Sequence, residues 1–490
     1  MEDFEKLRPV GRLERWSTAR HDLRFYMNAA VTASYTLPET CTLPLKHYIH
    51  KACKSVVGRH PILSAIPVGE NTNEPQFVRL PEIDLDQCVS FHDRRYEAPG
   101  QSPSSADTGS SDSKSDANGD PDLDELLTTQ HNTAFQAPNP FWRLCILTTS
   151  TQPHQFTAAF VFHHAIGDGT SGLAFHRTFH EALSQAASAD PNLDKQETNS
   201  VIPSPSIPLL PNIEALHPMP VSLLYVLSIL FREKIWSARR DPGLWTGSKI
   251  RTPLKTRVRH LAFSASNTRR FIDACRAHNT TVTAALQTLI AGVLFSHLPS
   301  NFTTLKCNGA ISVRRWLPDM IDDYSMGVYV QNLAEDYSRN KFQTETLPWD
   351  EARRSRRTIE QILSLRGKNA APNMLRYVNN YQQELFLSKV GKDRDSSYEV
   401  SNLGVYKGKL ENDRGTPATT VQIGRMVFTQ SANVTGSAFE VSAVSGADGC
   451  LVLGFSWQES VVDDALMDTV MKTVEEAFLA LTRDQPRGDR

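Results

Sequence analysis

The sequence predicts an α/β protein with mixed sheets, folded as two domains of similar size. Three observations carry this expectation. At 490 residues the chain exceeds what one ordinary hydrophobic core supports. A proline-rich stretch of low apolar content, from about Ser184 to Pro220, divides it near the middle, with Pro203, Pro205, Pro208 and Pro211 closely spaced. Each half mixes strand-like and helix-like runs, with neither a regular βαβ alternation nor a short internal repeat. The expected units are therefore residues 1–200, a linker with an apolar helix at 201–255, and residues 256–490.

In chain order, "YMNAAVTASYTLP" has strand composition, and "LKHYIHKACKSVVGRHPIL" reads as an amphipathic helix stopped by Gly58 and Pro61. "QFVRL" and "FWRLCILTTS" read as short strands, the second punctuated by Pro138 and Pro140. Between them, residues 97–125 are rich in Ser, Asp, Gly and Pro. So few apolar side chains cannot offset the ordering entropy, which predicts a disordered insertion. "FTAAFVFHH" reads as a buried strand, followed by a glycine-flanked turn and the helix "TSGLAFHRTFHEAL".

"MPVSLLYVLSILF" has the length of a buried or lid helix. Its basic flank "REKIWSARR" keeps contact with a membrane interface as the alternative. In the second half, "RVRHLAFSA" predicts a strand. Two helical stretches follow, with Ser266 as N-cap candidate and the polar "HNTT" between them. "KCNGAISVRRWLP" reads as strand then turn. "AFEVSAVSGADGCLVLGFSW" reads as two strands joined at Gly446–Gly449, and "DDALMDTVMKTVEEAFLAL" as a final amphipathic helix.

Composition narrows the function classes. A formal net charge of −2 and no long basic run argue against a nucleic-acid partner held through phosphates. Seven scattered cysteines without a CxxC pair read as free thiols in a reducing compartment. "MEDFEKLRPVGRLERW" lacks the apolar core of a secretory signal, and no run reaches the roughly 20 apolar residues that span a bilayer. The expectation is a cytoplasmic protein.

The chemistry concentrates in "HHAIGDG", His163 to Gly169, where a strand ends and a turn begins. An imidazole there suits general-base work, because its ordinary pKa lies near neutrality. Two strand-end histidines without a special role are the plain alternative. Yet His-His-x-x-x-Asp-Gly arises by composition only on the order of once per thousand chains of this length. His176 and His180 have helical i,i+4 spacing, but Arg177 follows His176, so the HExxH zinc pattern is absent and no metal is expected. No GxSxG elbow supports a serine nucleophile.

"HHAIGDG" resembles the HHxxxDG signature of the CoA-dependent acyltransferase superfamily, which includes chloramphenicol acetyltransferase, plant BAHD acyltransferases and peptide-synthetase condensation domains. "LRPVGRLERWSTARHDLRFYMNAAVTASY", "YEVSNLGVY" and "LGFSWQESVVDD" are similar to the fungal alcohol acetyltransferase family. The resemblance implies two chloramphenicol-acetyltransferase-like halves with an active-site tunnel between them.

It also implies site roles. His164 would be the general base, and Asp168 would pair with an arginine: Arg314, or Arg315 as fallback, in "GAISVRR", where Ser312 replaces the usual Asn. His163 and Gly169 would belong to the active-site loop, with the backbone N–H near Gly169 as oxyanion donor. Ser401, Asn402 and Gly404 in "SNLG", standing where plant enzymes carry DFGWG, and Gln430 and Ser431 in "FTQSAN" would line the tunnel.

The implied activity is transfer of an acetyl group from acetyl-CoA to a hydroxyl of an alcohol or hydroxylated secondary metabolite. No resident cofactor is implied; acetyl-CoA is a cosubstrate. The implied partners are small molecules; the chain is expected to be a cytoplasmic monomer, with peripheral contact with endoplasmic reticulum or lipid droplet as the alternative that the 219–231 segment leaves open. Two alternatives stay open: an acyltransferase fed by a carrier-protein-bound acyl group, and a non-catalytic relative that binds CoA esters or a metabolite.

Overall fold

Seven consecutive residues, Phe156 to Phe162, are buried in the strand Gln155–Phe162. A strand with both faces covered needs an apolar run of this kind rather than alternation. It is the middle of a five-stranded sheet in the order Gln422–Gln430, Ala29–Thr36, Gln155–Phe162, Trp142–Thr148, Val89–Asp93. All neighbours are antiparallel except the last pair. The computed structural model describes residues 4–96, 119–189, 199–231, 241–342, 347–407 and 420–483.

Helix Gly169–Ala187 covers one face of this sheet and packs on helix Leu45–Arg59. Gly172 permits the close approach: a Cβ there would lie 2.3 Å from Val31 Cγ2. Phe175 stacks on Phe160 with ring centroids 3.8 Å apart. Burying side chains of this size stabilises by about 1.5–3 kcal/mol each.

The second sheet has six strands, in the order Thr256–Phe263, Leu451–Gln458, Phe439–Ser445, Tyr398–Val405, Thr304–Ser312, Val330–Ser338. Its two inner pairings, around Tyr398–Val405, are parallel. Helices Ala265–Ala277, Val282–His297 and Asp464–Thr482 supply its apolar cover, with Phe478 stacked on Phe263 at 3.9 Å. Each sheet thus has its own core, as a two-part α/β chain requires.

Several expectations change. Strand Gln422–Gln430 comes from the second half yet pairs with Ala29–Thr36 of the first, so residues 256–490 are not a self-contained unit. Asp120 caps helix Pro121–His131 through its side chain, which corrects residues 120–125 of the expected insertion; residues 97–118 lie outside the described ones. Helix Leu45–Arg59 passes through Gly58 and ends before Pro61, whose ring disfavours helical backbone at His60.

Within the supposed linker, Val201–Pro203 pairs with Glu82–Asp84, and Ile213 is buried beside Val313, Leu317 and Tyr329. Ser264, not Ser266, caps helix Ala265–Ala277. The apolar helix Leu223–Phe231 is exposed rather than buried: Leu223 and Leu224 are 73% and 80% accessible. No single helix among the described residues is long and apolar enough to cross a membrane. All seven cysteines are free and buried.

Candidate active site

Register brings three polar side chains to one end of the first sheet. Ala29 pairs with both Phe162 and Gln430, so Tyr26, His164 and Gln430 leave their strands at the same edge. The second sheet closes this edge, and between them lies a cavity of about 300 Å³. His164, Tyr26, Gln430, Arg20, Glu399 and Glu440 line it, with an apolar wall that includes Leu13, Trp16, Val328 and Leu375.

His164 is partly accessible only because its ring faces this cavity; its Nδ1 is buried without a hydrogen-bond partner of good geometry. Burial and the nearby Arg20 guanidinium push its pKa down to about 3. The ring is therefore neutral at physiological pH, with a lone pair available to accept a proton.

Asp168 does a different job. It caps helix Gly169–Ala187, accepting from the Ser171 backbone N–H at 3.0 Å and from the Ser171 hydroxyl at 3.1 Å. Arg314 grips it bidentately, Nη1 to Oδ2 at 2.7 Å and Nη2 to Oδ1 at 3.0 Å, and the Tyr329 N–H donates to Oδ2 at 3.0 Å. Burial works against ionisation here, but Arg314 and these N–H donors outweigh it and hold the carboxyl below its ordinary value. The partner is Arg314, not Arg315, which is exposed. The pair joins the histidine turn to the second half.

His163 points away from the cavity, into a cluster with His21 and Glu70. This corrects its expected place in the reaction loop. The Ala165 N–H donates to His163 Nδ1 at 2.9 Å and the Phe135 N–H donates to His21 Nε2 at 3.2 Å. Each ring therefore carries its proton on the nitrogen that faces Glu70, at 3.2 Å from His163 Nε2 and 3.0 Å from His21 Nδ1. Although burial pushes Glu70 up, these two donors hold it down at about 2. Three candidate ligand residues, two imidazoles and a carboxylate, meet here at metal-like spacing. The ring lone pairs are already used by backbone N–H groups, so the donor set fits a hydrogen-bonded clamp and not a cation.

His176 and His180 are also occupied. His176 lies between the Tyr35 hydroxyl and the Val31 carbonyl, and His180 Nε2 donates to the Val421 carbonyl.

Gly169 lies at the helix start, where a Cβ would meet Leu403 Cδ2 at 2.5 Å; this closeness explains the glycine. Of the expected tunnel residues, only Gln430 lines the cavity. Ser401 reaches its edge by donating to Glu399 Oε1 at 2.9 Å. Asn402, on the opposite pleat, donates to Thr283 Oγ1 and accepts from the Gly404 N–H. Gly404 takes φ +78, open to glycine without strain. The Ser431 hydroxyl is spent on the backbone, accepting from Met27 N–H and donating to Ala432 O.

The sequence reading missed Arg20, Tyr26, Glu399 and Glu440. One signal for the glutamates was visible: "YEVS" and "FEVS" each place a lone Glu inside an apolar strand.

Comparison with known proteins agrees with this architecture. The alcohol acetyltransferase family profile matches residues 9–482. A probable alcohol acetyltransferase of Aspergillus fumigatus, crmB, is 34% identical over 484 residues, covering 96% of this chain and 98% of that protein. A probable alcohol acetyltransferase of Fusarium pseudograminearum, FCK4, is 24% identical, covering 98% of this chain and 96% of that one. Among solved structures, TRI3 trichothecene 15-O-acetyltransferase from Fusarium sporotrichioides superposes with a TM-score of 0.67 at 14% identity, covering 97% of this chain and 95% of its own. The first condensation domain of the calcium-dependent antibiotic synthetase does so at 0.62 and 12% identity, covering 98% and 97%. The two-lobed fold is that of chloramphenicol-acetyltransferase-like enzymes, and the chain is an acyltransferase that belongs to the alcohol acetyltransferase family.

Proposed function

We propose that this acyltransferase moves an acetyl group from acetyl-CoA to a hydroxyl of an alcohol or hydroxylated secondary metabolite, with His164 as general base. The observation that carries this reading is the His164 ring facing a largely apolar cavity between the two sheets, where burial keeps it neutral. Nδ1 is sealed in the protein, which leaves Nε2 to meet the substrate. As the acceptor oxygen attacks the thioester carbonyl, Nε2 takes the hydroxyl proton. Collapse of the tetrahedral intermediate breaks the carbon–sulfur bond, and the same proton passes to the CoA sulfur. The backbone N–H near Gly169, in the first turn of helix Gly169–Ala187, is the proposed oxyanion donor. Asp168 and Arg314 act at one remove, holding the turn that aims His164.

The low basicity of His164 fits a direct transfer: a thioester is already activated, so the base need only accept the proton late, as the new bond forms. The exposed helix Leu223–Phe231, with Leu227 and Phe231 also accessible, favours the membrane-interface alternative over a buried helix. Flotation with anionic vesicles tests that part separately.

The central test is thiol release from acetyl-CoA with a panel of alcohols, with products identified by mass. The native protein should transfer, and His164→Ala should lose about 10²–10⁴-fold while keeping its thermal midpoint. A folded His164→Ala protein that keeps most of its activity overturns the assignment. Turnover with an acyl-carrier donor but not with acetyl-CoA would replace the donor.

A further inference from the structure

Two strands of the second sheet carry the same four-residue pattern, aromatic-Glu-Val-Ser, at 398–401 and 439–442. They pair in parallel and in matching register: Tyr398 opposite Phe439, Glu399 opposite Glu440, Val400 opposite Val441 and Ser401 opposite Ser442. Matching register puts both glutamates on one face of adjacent strands, and that face is the cavity wall.

The two carboxyls are not equivalent. Glu399 Oε1 accepts from the Ser401 hydroxyl at 2.9 Å and from Gln430 Nε2 at 3.3 Å, and Gln430 Oε1 in turn accepts from the Tyr26 hydroxyl at 3.3 Å. Glu440 is only 2% exposed, and its Oε2 has no hydrogen-bond partner among the described residues. Arg20, across the same cavity, is 3% exposed; its guanidinium lies 3.9 Å from the Trp16 ring and 3.7 Å from the Tyr26 ring, and its Nε is likewise unpartnered. Burial and the neighbouring Glu399 push Glu440 well above its ordinary value, and Arg20 and Arg394 only partly oppose this. A buried polar atom left unsatisfied is costly, and native proteins tolerate it mainly where a ligand or water completes it.

Resting on the acyl-transfer reading above, we infer that Glu440 is an acceptor-recognition residue: it takes a hydrogen bond from a second O–H or N–H group of the acceptor while His164 meets the reacting hydroxyl. The acceptor class is a molecule with an apolar skeleton, seated against Leu13, Trp16, Val328 and Leu375, that carries a donor group besides the hydroxyl to be acylated. Glu399 is held in place by Ser401 and Gln430 and sets the register of the pair. A simple mono-alcohol leaves Glu440 Oε2 unpaired and binds less well.

The test is binding to the full chain without acetyl-CoA, by calorimetry or ligand-observed NMR, with three probes on one skeleton: menthol, the diol terpin and an amino-alcohol of the menthane skeleton. The native protein should bind the two donor-bearing probes about tenfold or more tighter than menthol. In Glu440→Leu these dissociation constants should converge. In Glu440→Gln the preference for the diol should survive; loss of the amino-alcohol preference alone would identify an ammonium as the favoured donor, and its retention a neutral one. A thermal melt confirms that each variant is folded. Lack of discrimination by the native protein, including no binding of any probe, overturns the inference, as does unchanged discrimination in folded Glu440→Leu. Preferential binding of the donor-bearing probes, with no thiol release from acetyl-CoA or an acyl-carrier for any alcohol of the panel above, would leave this inference standing and remove the acyl-transfer reading instead.

Discussion

Two groups of buried ionisable side chains lie on either side of the histidine turn and are built on opposite plans. Around Asp168, both carboxylate oxygens are filled by Arg314, Ser171 and Tyr329, and Arg314 also reaches the Ser325 and Gly327 carbonyls. Around Glu440, one oxygen has no partner, Glu399 stands opposite on the adjacent strand, and Arg20 is held mainly by aromatic faces. Burial is similar in both places, so burial alone does not separate framework from binding site. Satisfaction does. A buried carboxyl whose oxygens are both filled from within the protein holds the fold, and one left incomplete at a cavity wall is completed by what enters.

The comparison can be broken most directly by Asp168→Ala. It leaves Arg314 buried and unpaired, so unfolding free energy should drop by about 3–5 kcal/mol, read from the urea midpoint. An unchanged midpoint would remove the distinction drawn above.

Acid titration should come next in size. His164 and His131 are pushed down to about 3 and His163 to about 4, in each case chiefly by burial. Below the ordinary histidine value near 6.5 the unfolded chain binds protons that the folded one refuses. Stability should therefore be complete above that value and decline as pH falls towards 4, by at most about 3 kcal/mol per ring. For the same reason kcat/KM should show no acid limb near 6.5 for as long as the protein stays folded.

Arg314→Lys keeps the charge but not the fork, and a loss of about 1.5–3 kcal/mol in the same unfolding assay is expected. The smallest effect sharpens the contrast from the other side. Glu440→Leu removes a poorly paired buried carboxyl, so its midpoint should change by less than about 1 kcal/mol, or rise.

Much of the frame was legible. The run "FTAAFVF" fits a covered strand, and the glycines around Asp168 mark the turn. The Asp168–Arg314 pairing was reached through a family likeness rather than through residue chemistry, and the coordinates place the two side chains together. The tunnel list fared worse. "SNLG" and "FTQSAN" named the right strands, but strand alternation and side-chain bonds to backbone took Asn402 and Ser431 away from the cavity. Of the expectation of a buried or lid helix at 219–231, the buried reading failed for 223–231, because apolar composition does not say whether a neighbour exists to cover it.

Local pattern was enough to determine the strand, turn and helix that carry "HHAIGDG", because period, glycine position and capping act over a few residues. What only the folded molecule decided is which distant residues share the cavity. Arg20, Tyr26, Glu399, Gln430 and Glu440 span more than 400 positions of chain and meet through strand register and the closing of one sheet on the other. Those are long-range pairings, and no short window of sequence contains their energy.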